Sequence, residues 1–373
     1  MDNTLNEIKG TRCNRCVLPQ STPGIHFDEE GICSYCRDYQ FRTTQGEEAL
    51  KEILNQNRAT GVQKYDCMAP VSGGRDSTFL LWKLVHDYKM HPLAVHYENP
   101  FSSKQATRNL ESAVEQLGLD LIKWTYNNKS FHEKETRKAL KIWSRKPSHS
   151  MLPIICAVCK GWWPNFVRIA REQNISLIVI GSNPYESASF KEASFGSART
   201  YFQLSHLPKT VAKGFSELIN NPAYLMCSWP AVIKMGLMAS HSSPVFRVLY
   251  RDINVVRLFD YIKWNESDVL TTISENLGWQ KDPDHASPWR FDCRLDHVKK
   301  FLYKKTIGVS ELEDLFSKQI REGMITRDEA LERLKTEDTT PFHIVEAVLN
   351  QINLQLSDLN WPEDWLVDRP LMT

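Results

Sequence analysis

No stretch of this chain approaches the roughly 20 consecutive apolar residues of a membrane-spanning helix. The opening MDNTLNEIKG also lacks the apolar centre of an export signal. These two absences give the expectation of a cytoplasmic protein. Low-complexity tracts are missing as well, and charge of one sign is almost missing in the net. Across 373 residues, 46 Lys and Arg stand against 45 Asp and Glu, a formal charge of +1. The chain as a whole therefore has no basic excess of the kind that nucleic-acid binders usually carry. What is present, 42% hydrophobic and 24% charged residues, describes a globular protein with ample core, and the length suggests two to three structural units.

A phosphate-binding glycine motif with the usual lysine is also absent. In its place the short apolar run Cys67, Met68, Ala69, Val71 leads into Ser72-Gly73-Gly74-Arg75-Asp76-Ser77. A helical pattern follows, with Phe79, Leu80, Leu84, Val85 and Tyr88 on one face. Strand, glycine turn and helix start offer three things that hold a phosphate: positive-φ backbone, unpaired N–H groups and the positive end of a helix dipole. Ser72 and Ser77 add hydroxyl donors. No lysine precedes the last Ser, so this is not GxxxxGK[ST], nor is it GxGxxG.

Nine cysteines are present, and without an export signal their spacing favours metal over disulfides. Cys13-x-x-Cys16 and Cys33-x-x-Cys36 lie 16 residues apart across a turn-rich segment, the pattern of a closed, structural four-thiolate zinc site. Cys156-x-x-Cys159 is a lone pair and stays open to three readings: core thiols, a redox pair, or ligands of a second metal with Cys293 or Cys227 as third partner. Three thiolates are compatible with an iron–sulfur cluster. Cys67 is expected to pack in the first strand.

Strands are expected at 91–97, 120–126 and 175–180. Helices are expected at 47–57, 104–117, 130–143 and 165–173. This alternation implies a doubly wound parallel α/β sheet, with ligands beyond the carboxyl ends of its strands. That rim would bring together the Ser72–Ser77 loop, Glu98-Asn99 and Gly181-Ser182-Asn183, with Gly181 allowing close approach of a nucleotide. Past residue 236 the pattern turns mainly helical after a short strand near Val255. In WRFDCR and its surroundings, His285, Arg290, Asp292, Arg294 and Asp296 are candidates for holding an anionic substrate. Thr326 and Glu329 read as a capping box. The expected units are residues 1–60 (knuckles and linking helix), 61–235 (nucleotide domain) and 236–373 (helical substrate or partner region).

SGGRDS matches SGGxDS, so the central segment resembles the ATP pyrophosphatase (PP-loop) superfamily, whose fold is HUP-like. With the knuckles ahead of it and REGMITRDEALERL behind, the whole chain resembles the N-acetyl sugar amidotransferases of bacterial surface-polysaccharide (LPS O-antigen) biosynthesis. WRFDCR departs from the KHYES-like version of that loop, which bears on sugar specificity. The resemblance implies ATP, Mg²⁺ and Zn²⁺ as cofactors, with a [4Fe-4S] cluster at Cys156, Cys159 and Cys293 as a further option. Ser72, Gly73, Gly74, Arg75, Asp76, Ser77, Asn99 and Gly181 would hold the nucleotide, and Asp76 and Ser77 would act in catalysis. The acetamido oxygen of a nucleotide-sugar would be adenylated and then replaced by ammonia. A chain starting Met1-Asp2 lacks an N-terminal Cys nucleophile, so the expected ammonia source is a separate glutaminase subunit, with a barrel partner as channel. Neither membrane nor nucleic acid is an expected partner. The alternative is tRNA thiolation on the same loop.

Overall fold

The structure, a computed structural model, describes residues 12–61, 63–126, 128, 130–194, 207–227, 241 and 243–361. The linking helix α1 (Glu47–Gln56) precedes strand β1 (Cys67–Pro70). Then follow α2 (Arg75–Trp82), β2 (Pro92–Tyr97), α3 (Lys104–Gln116), β3 (Leu121–Trp124), α4 (Phe131–Trp143), α5 (Trp163–Glu172) and β4 (Leu177–Ile180). The expected elements are all there, some shorter at the ends. Pro164 extends α5 backward by occupying its first turn, where its missing N–H costs nothing.

All strand pairs are parallel, in the order β3-β2-β1-β4 with a fifth strand beyond β4. Every residue of β2 is buried, as expected of a strand covered by helices on both faces. Strand order reverses between β1 and β4, so the crevice for a ligand opens beyond their carboxyl ends. The fifth strand, β5 (Asn254–Arg257), pairs with β4 through Ile178↔Val255 and Val179↔Val256. The short strand expected near Val255 within the helical region thus completes the nucleotide-domain sheet. The boundary expected at 235/236 lies outside the described residues.

The rest of the C-terminal part is helical: α6 (Glu266–Leu277), α7 (Leu295–Ile307), α8 (Glu311–Arg321), α9 (Arg327–Glu337) and α10 (Phe342–Gln351). At Thr326 only one half of the expected capping box forms, the Thr326 side chain accepting from Glu329 N at 3.1 Å. The reciprocal box sits at the start of α8, where Ser310 and Glu313 exchange bonds of 2.7 and 3.0 Å. The knuckles dock on these helices. Arg327 donates to the carbonyls of Cys13 and Cys16 at 3.2 and 3.0 Å, Val17 N donates to Ser317 Oγ at 3.3 Å, and Arg12 pairs with Glu313 at 2.6 Å. The N-terminal knuckles and the C-terminal helices therefore share one apolar core, which joins the four cysteines to Val298, Leu302, Val345 and Leu349. Among the described residues no helix is long and apolar enough to cross a membrane.

Candidate active site and metal centres

The loop after β1 has the form that its composition demands. Gly73 takes φ +82°, and a Cβ there would lie 1.9 Å from the carbonyl oxygen of Ala106, so only glycine fits. Ser72 N donates to Ser77 Oγ at 3.2 Å, Gly74 N to Ser72 Oγ at 3.3 Å, and Ser77 and Thr78 hydroxyls to Gly74 O at 3.1 and 3.0 Å. No side chain caps the N-terminus of α2, so its first-turn N–H groups face the crevice with the helix dipole behind them. Trp279 Nε1 braces the loop from α6's end, donating to Gly73 O at 3.1 Å. Gly181 abuts the loop as well, but for packing: a Cβ there would lie 2.5 Å from Asp76 O.

Arg75 and Asp76 point away from the loop's mouth into buried partners. Trp264 Nε1 donates to Asp76 Oδ1 at 2.7 Å, and Arg75 Nε lies 3.4 Å from Asp76 Oδ2. Arg75 stacks over Trp264 at 5.0 Å and pairs with Glu266, whose other oxygen meets Arg333 at 2.9 Å. Burial raises the Asp76 pKa, against the pull of Arg75 and the Trp264 bond. A carboxylate that the loop motif does not contain also reaches the loop. Asp292 lies against it: a Cβ on Gly74 would be 3.6 Å from the Asp292 Cγ. Burial raises its pKa too, and Glu186 and Asp296 add to the shift. Asp292 is thus a carboxylate at the loop that only the fold brings there.

Three thiols gather beside the same loop. The segment carrying Asp292 and Cys293 is stitched to the end of β2: Ser102 bridges Cys293, Ser103 N donates to Asp292 O at 3.1 Å, and Arg294 N to Phe101 O at 2.8 Å. Asn99 Nδ2 lies 3.3 Å from Cys293 Sγ, so Asn99 faces the cysteines. Cys159 Sγ lies 3.4 Å from His132 Nε2, whose Nδ1 meets Tyr97 OH at 2.9 Å. Burial raises the Cys159 thiol well above its usual range, and Cys156 and Cys293 raise it further. Burial, with Cys156 and Asp292, pushes Cys293 up to about 12. Cys156, Cys159 and Cys293 therefore lie within electrostatic reach of one another. Cys227, the other candidate third partner, packs in the helical core with Lys138 and Glu135 as its charged neighbours. Cys67 is fully buried in β1.

The N-terminal four are a different kind of site. Zn–S bonds of about 2.3 Å at tetrahedral angles put sulfurs about 3.8 Å apart. Cys13–Cys36 and Cys16–Cys33 measure 3.9 and 3.8 Å, and all four sulfurs lie within 4.8 Å of one another. Backbone N–H groups of Arg15, Cys16 and Cys33 point at Cys13 Sγ at 3.4, 3.4 and 3.3 Å. Arg321 adds a cation, its Nε 3.3 Å from Cys36 Sγ. With four buried sulfurs and no open position, the set fits one structural tetrahedral ion. The trio at the loop does not join such a tight group.

The other polar residues expected to hold substrate are engaged within the protein. Arg290, in a left-handed conformation (φ 52°), pairs with Glu311 at 3.3 Å and donates to Glu186 O at 3.0 Å. Arg294 donates to Gln351 at 2.7 Å and Asp296 pairs with Lys299 at 2.6 Å, whereas buried His285 packs its ring against His297, centroids 3.9 Å apart at 49°, with no hydrogen-bond partner on either ring nitrogen.

No family model matches the chain. An uncharacterized protein of Methanocaldococcus jannaschii, MJ1599, is 29% identical over 115 residues, which is 30% of this chain and 41% of that protein. The chain therefore spans about two fifths of that relative's length. Among solved structures, the U34-tRNA thiolase NcsA from Methanococcus maripaludis, with its [4Fe-4S] cluster, is similar at 13% identity and a TM-score of 0.34, over 93% of this chain and 90% of that one.

Proposed function

We propose that this chain is a PP-loop ATP pyrophosphatase that adenylates a carbonyl oxygen of its substrate and replaces it with sulfur. The first step joins the substrate oxygen to the α-phosphorus of ATP and releases pyrophosphate. In the second, a sulfide attacks the activated carbon and AMP leaves with the oxygen. An amide or nucleobase carbonyl is a poor electrophile, and adenylation turns its oxygen into a leaving group. Ser72, Gly73, Gly74, Ser77 and the first-turn N–H groups of α2 are the cradle for the pyrophosphate, and Asp292 is the carboxylate for Mg²⁺. The reading is carried by the placement of Cys293, bridged to Ser102 past the end of β2 and next to Asp292 at the loop, within electrostatic reach of Cys156 and Cys159. An iron–sulfur cluster on three thiolates, when bound, supplies an open iron position for sulfur. Around it, His132 and Asn99 orient Cys159 and Cys293.

The amidotransferase reading has its own support in the docking of the four-cysteine knuckles on α8 and α9, the two segments that carry that resemblance. There the acceptor is the acetamido group of a nucleotide-sugar, and ammonia comes from a separate glutaminase with a barrel partner. Anaerobic reconstitution separates the two. About four irons per chain, lost in Cys293→Ala with zinc retained, and ATP-dependent thiolation of tRNA with sulfide support sulfur transfer. Iron-free protein that releases pyrophosphate only with a nucleotide-sugar and ammonium overturns it.

A further inference from the structure

Cations from four separate segments come together beside Cys156. Lys160 ends the helical turn Ala157–Lys160, Lys191 lies on the short helix Ser189–Ser194, Arg290 precedes Asp292 in its turn, and Lys299 stands on α7. Every pair among these four is within electrostatic reach, and Lys160, Arg290 and Lys299 also reach Cys156. Direct contacts fix the group. Arg290 Nη1, at 3.3 Å, and Lys191 Nζ share a single carboxylate, Glu311, while Lys299 and Lys300 share Asp296 at 2.6 and 3.6 Å. Lys191 Nζ also lies 5.0 Å over the Tyr303 ring. Lys160 makes no hydrogen bond or ion pair among the described residues.

Positive charge is therefore left over where cations share a carboxylate and where Lys160 has none. Glu186 and Asp292 face Arg290 as well, but burial raises the pKa of both, so each gives up its proton less readily than an exposed carboxyl. The four cations also line a recess. Lys160 is exposed, and Lys191, Arg290 and Lys299 are part-exposed, yet burial is the first cause opposing the charge of every one of them. Side chains that reach water while walled in by protein belong to a cleft, where like charges repel strongly unless an anion joins them.

We propose that Lys160, Lys191, Arg290 and Lys299 form a subsite for a phosphate group of the acceptor, separate from the pyrophosphate cradle; the inference rests on the loop's being the ATP site, which both readings above share. A guanidinium fork with mobile ammonium groups around it suits phosphate oxygens. The cations converge from four segments into one recess instead of following a line, so they match a compact phosphate or diphosphate. The subsite borders the loop through Asp292 and the thiols through Cys156, so an acceptor anchored by its phosphate stays beside the reacting groups.

The experiment is calorimetric titration of the full chain with its loop filled by Mg²⁺ and a non-hydrolysable ATP analogue. The probes are inorganic phosphate, UDP-N-acetylglucosamine and an unmodified tRNA transcript. The variants are Lys160→Gln, Lys160→Glu and Lys160→Arg, with Lys51→Ala as a control for an exposed lysine elsewhere. Lys160 has no partner to strand, and an unchanged melting curve shows that the fold is kept. Wild type should bind phosphate beyond the analogue, Lys160→Gln at least about tenfold more weakly, and Lys160→Glu more weakly still. Lys160→Arg and the control should bind as wild type does, and the affinity for the analogue should not change. The same loss with UDP-N-acetylglucosamine or with tRNA identifies which of them supplies the phosphate. No phosphate binding by wild type, or an unchanged affinity in Lys160→Glu, overturns the proposal. A loss confined to the analogue overturns it by assigning the cations to ATP, and a loss of iron alone overturns it by assigning them to the thiolates. Pyrophosphate release with an acceptor whose binding ignores Lys160 defeats the subsite alone. Phosphate binding that depends on Lys160, in a protein that releases no pyrophosphate with either acceptor, defeats the adenylation reading and leaves the subsite standing.

Discussion

Removing the charge of Glu266 should loosen the nucleotide loop from behind. Arg75 stands inside the loop sequence, yet its side chain is only 2% exposed, and its anionic partners are Asp76 at 3.4 Å and Glu266. One guanidinium nitrogen, Nη2, has no partner even so. The neighbouring carboxylates hold its pKa above the usual value despite the opposing effect of burial, so it stays charged when a partner is lost. Taking one partner from a buried pair costs about 3–5 kcal/mol, because the remaining charge is stranded. Glu266→Gln keeps the shape and should fall near the lower end, about 3 kcal/mol, or roughly 4 °C in Tm for a chain of this length. Arg333→Ala should cost less, about 1 kcal/mol, because Arg333 is 21% exposed and Arg75 remains on Glu266. Since Arg75 leads directly into α2, the KM for ATP should rise in Glu266→Gln more than in Arg333→Ala. Burial works against ionised Glu266, but Arg75 and Arg333 outweigh it and hold its pKa below the ordinary value. Its contribution is therefore full above the unfolded pKa and is lost as pH falls through the folded one. The gap between wild type and Glu266→Gln should accordingly narrow from neutral pH to below about 4. Urea melts and ATP kinetics at both pH values check this. A variant within 0.5 kcal/mol of wild type (about the noise of a surface substitution), with an unchanged KM, would refute the reasoning.

Three further outcomes follow from the same structure. Cys33→Ser should abolish zinc binding, measured by metal analysis, and lower Tm, because the knuckle's hold on Arg321 and the α7–α10 core depends on the closed site. Gly73→Ala should eliminate ATP-dependent pyrophosphate release with zinc content unchanged, since its Cβ would fall 1.9 Å from Ala106 O at a φ of +82°; ATP turnover near wild type would contradict this. Burial, helped by its neighbour His285, holds His297 down at about 3, and neither of its ring nitrogens has a partner. A base depressed on folding is protonated first in the unfolded chain, so it lowers stability as pH falls below about 6.5, by roughly 1 kcal/mol per unit. His297→Leu should flatten that part of the stability–pH curve, read from urea midpoints at pH 6.5 and 4.5.

The sequence by itself determined the local chemistry. SGGRDS specified a loop with a positive-φ glycine and an uncapped helix start, and two CxxC pairs 16 residues apart specified a four-sulfur site. Both signals are short-range, because the backbone of a few consecutive residues decides them. The βα alternation carried the parallel sheet for the same reason, since apolar periodicity is a property of each segment. Only tertiary structure decided which residues share the crevice. Asp292 and Cys293 lie some 200 positions beyond the loop and have no periodic signal of their own; a turn held by Arg290 and stitched to the end of β2 brings them there. It likewise turned Asp76 toward Trp264 and joined β5 to the sheet.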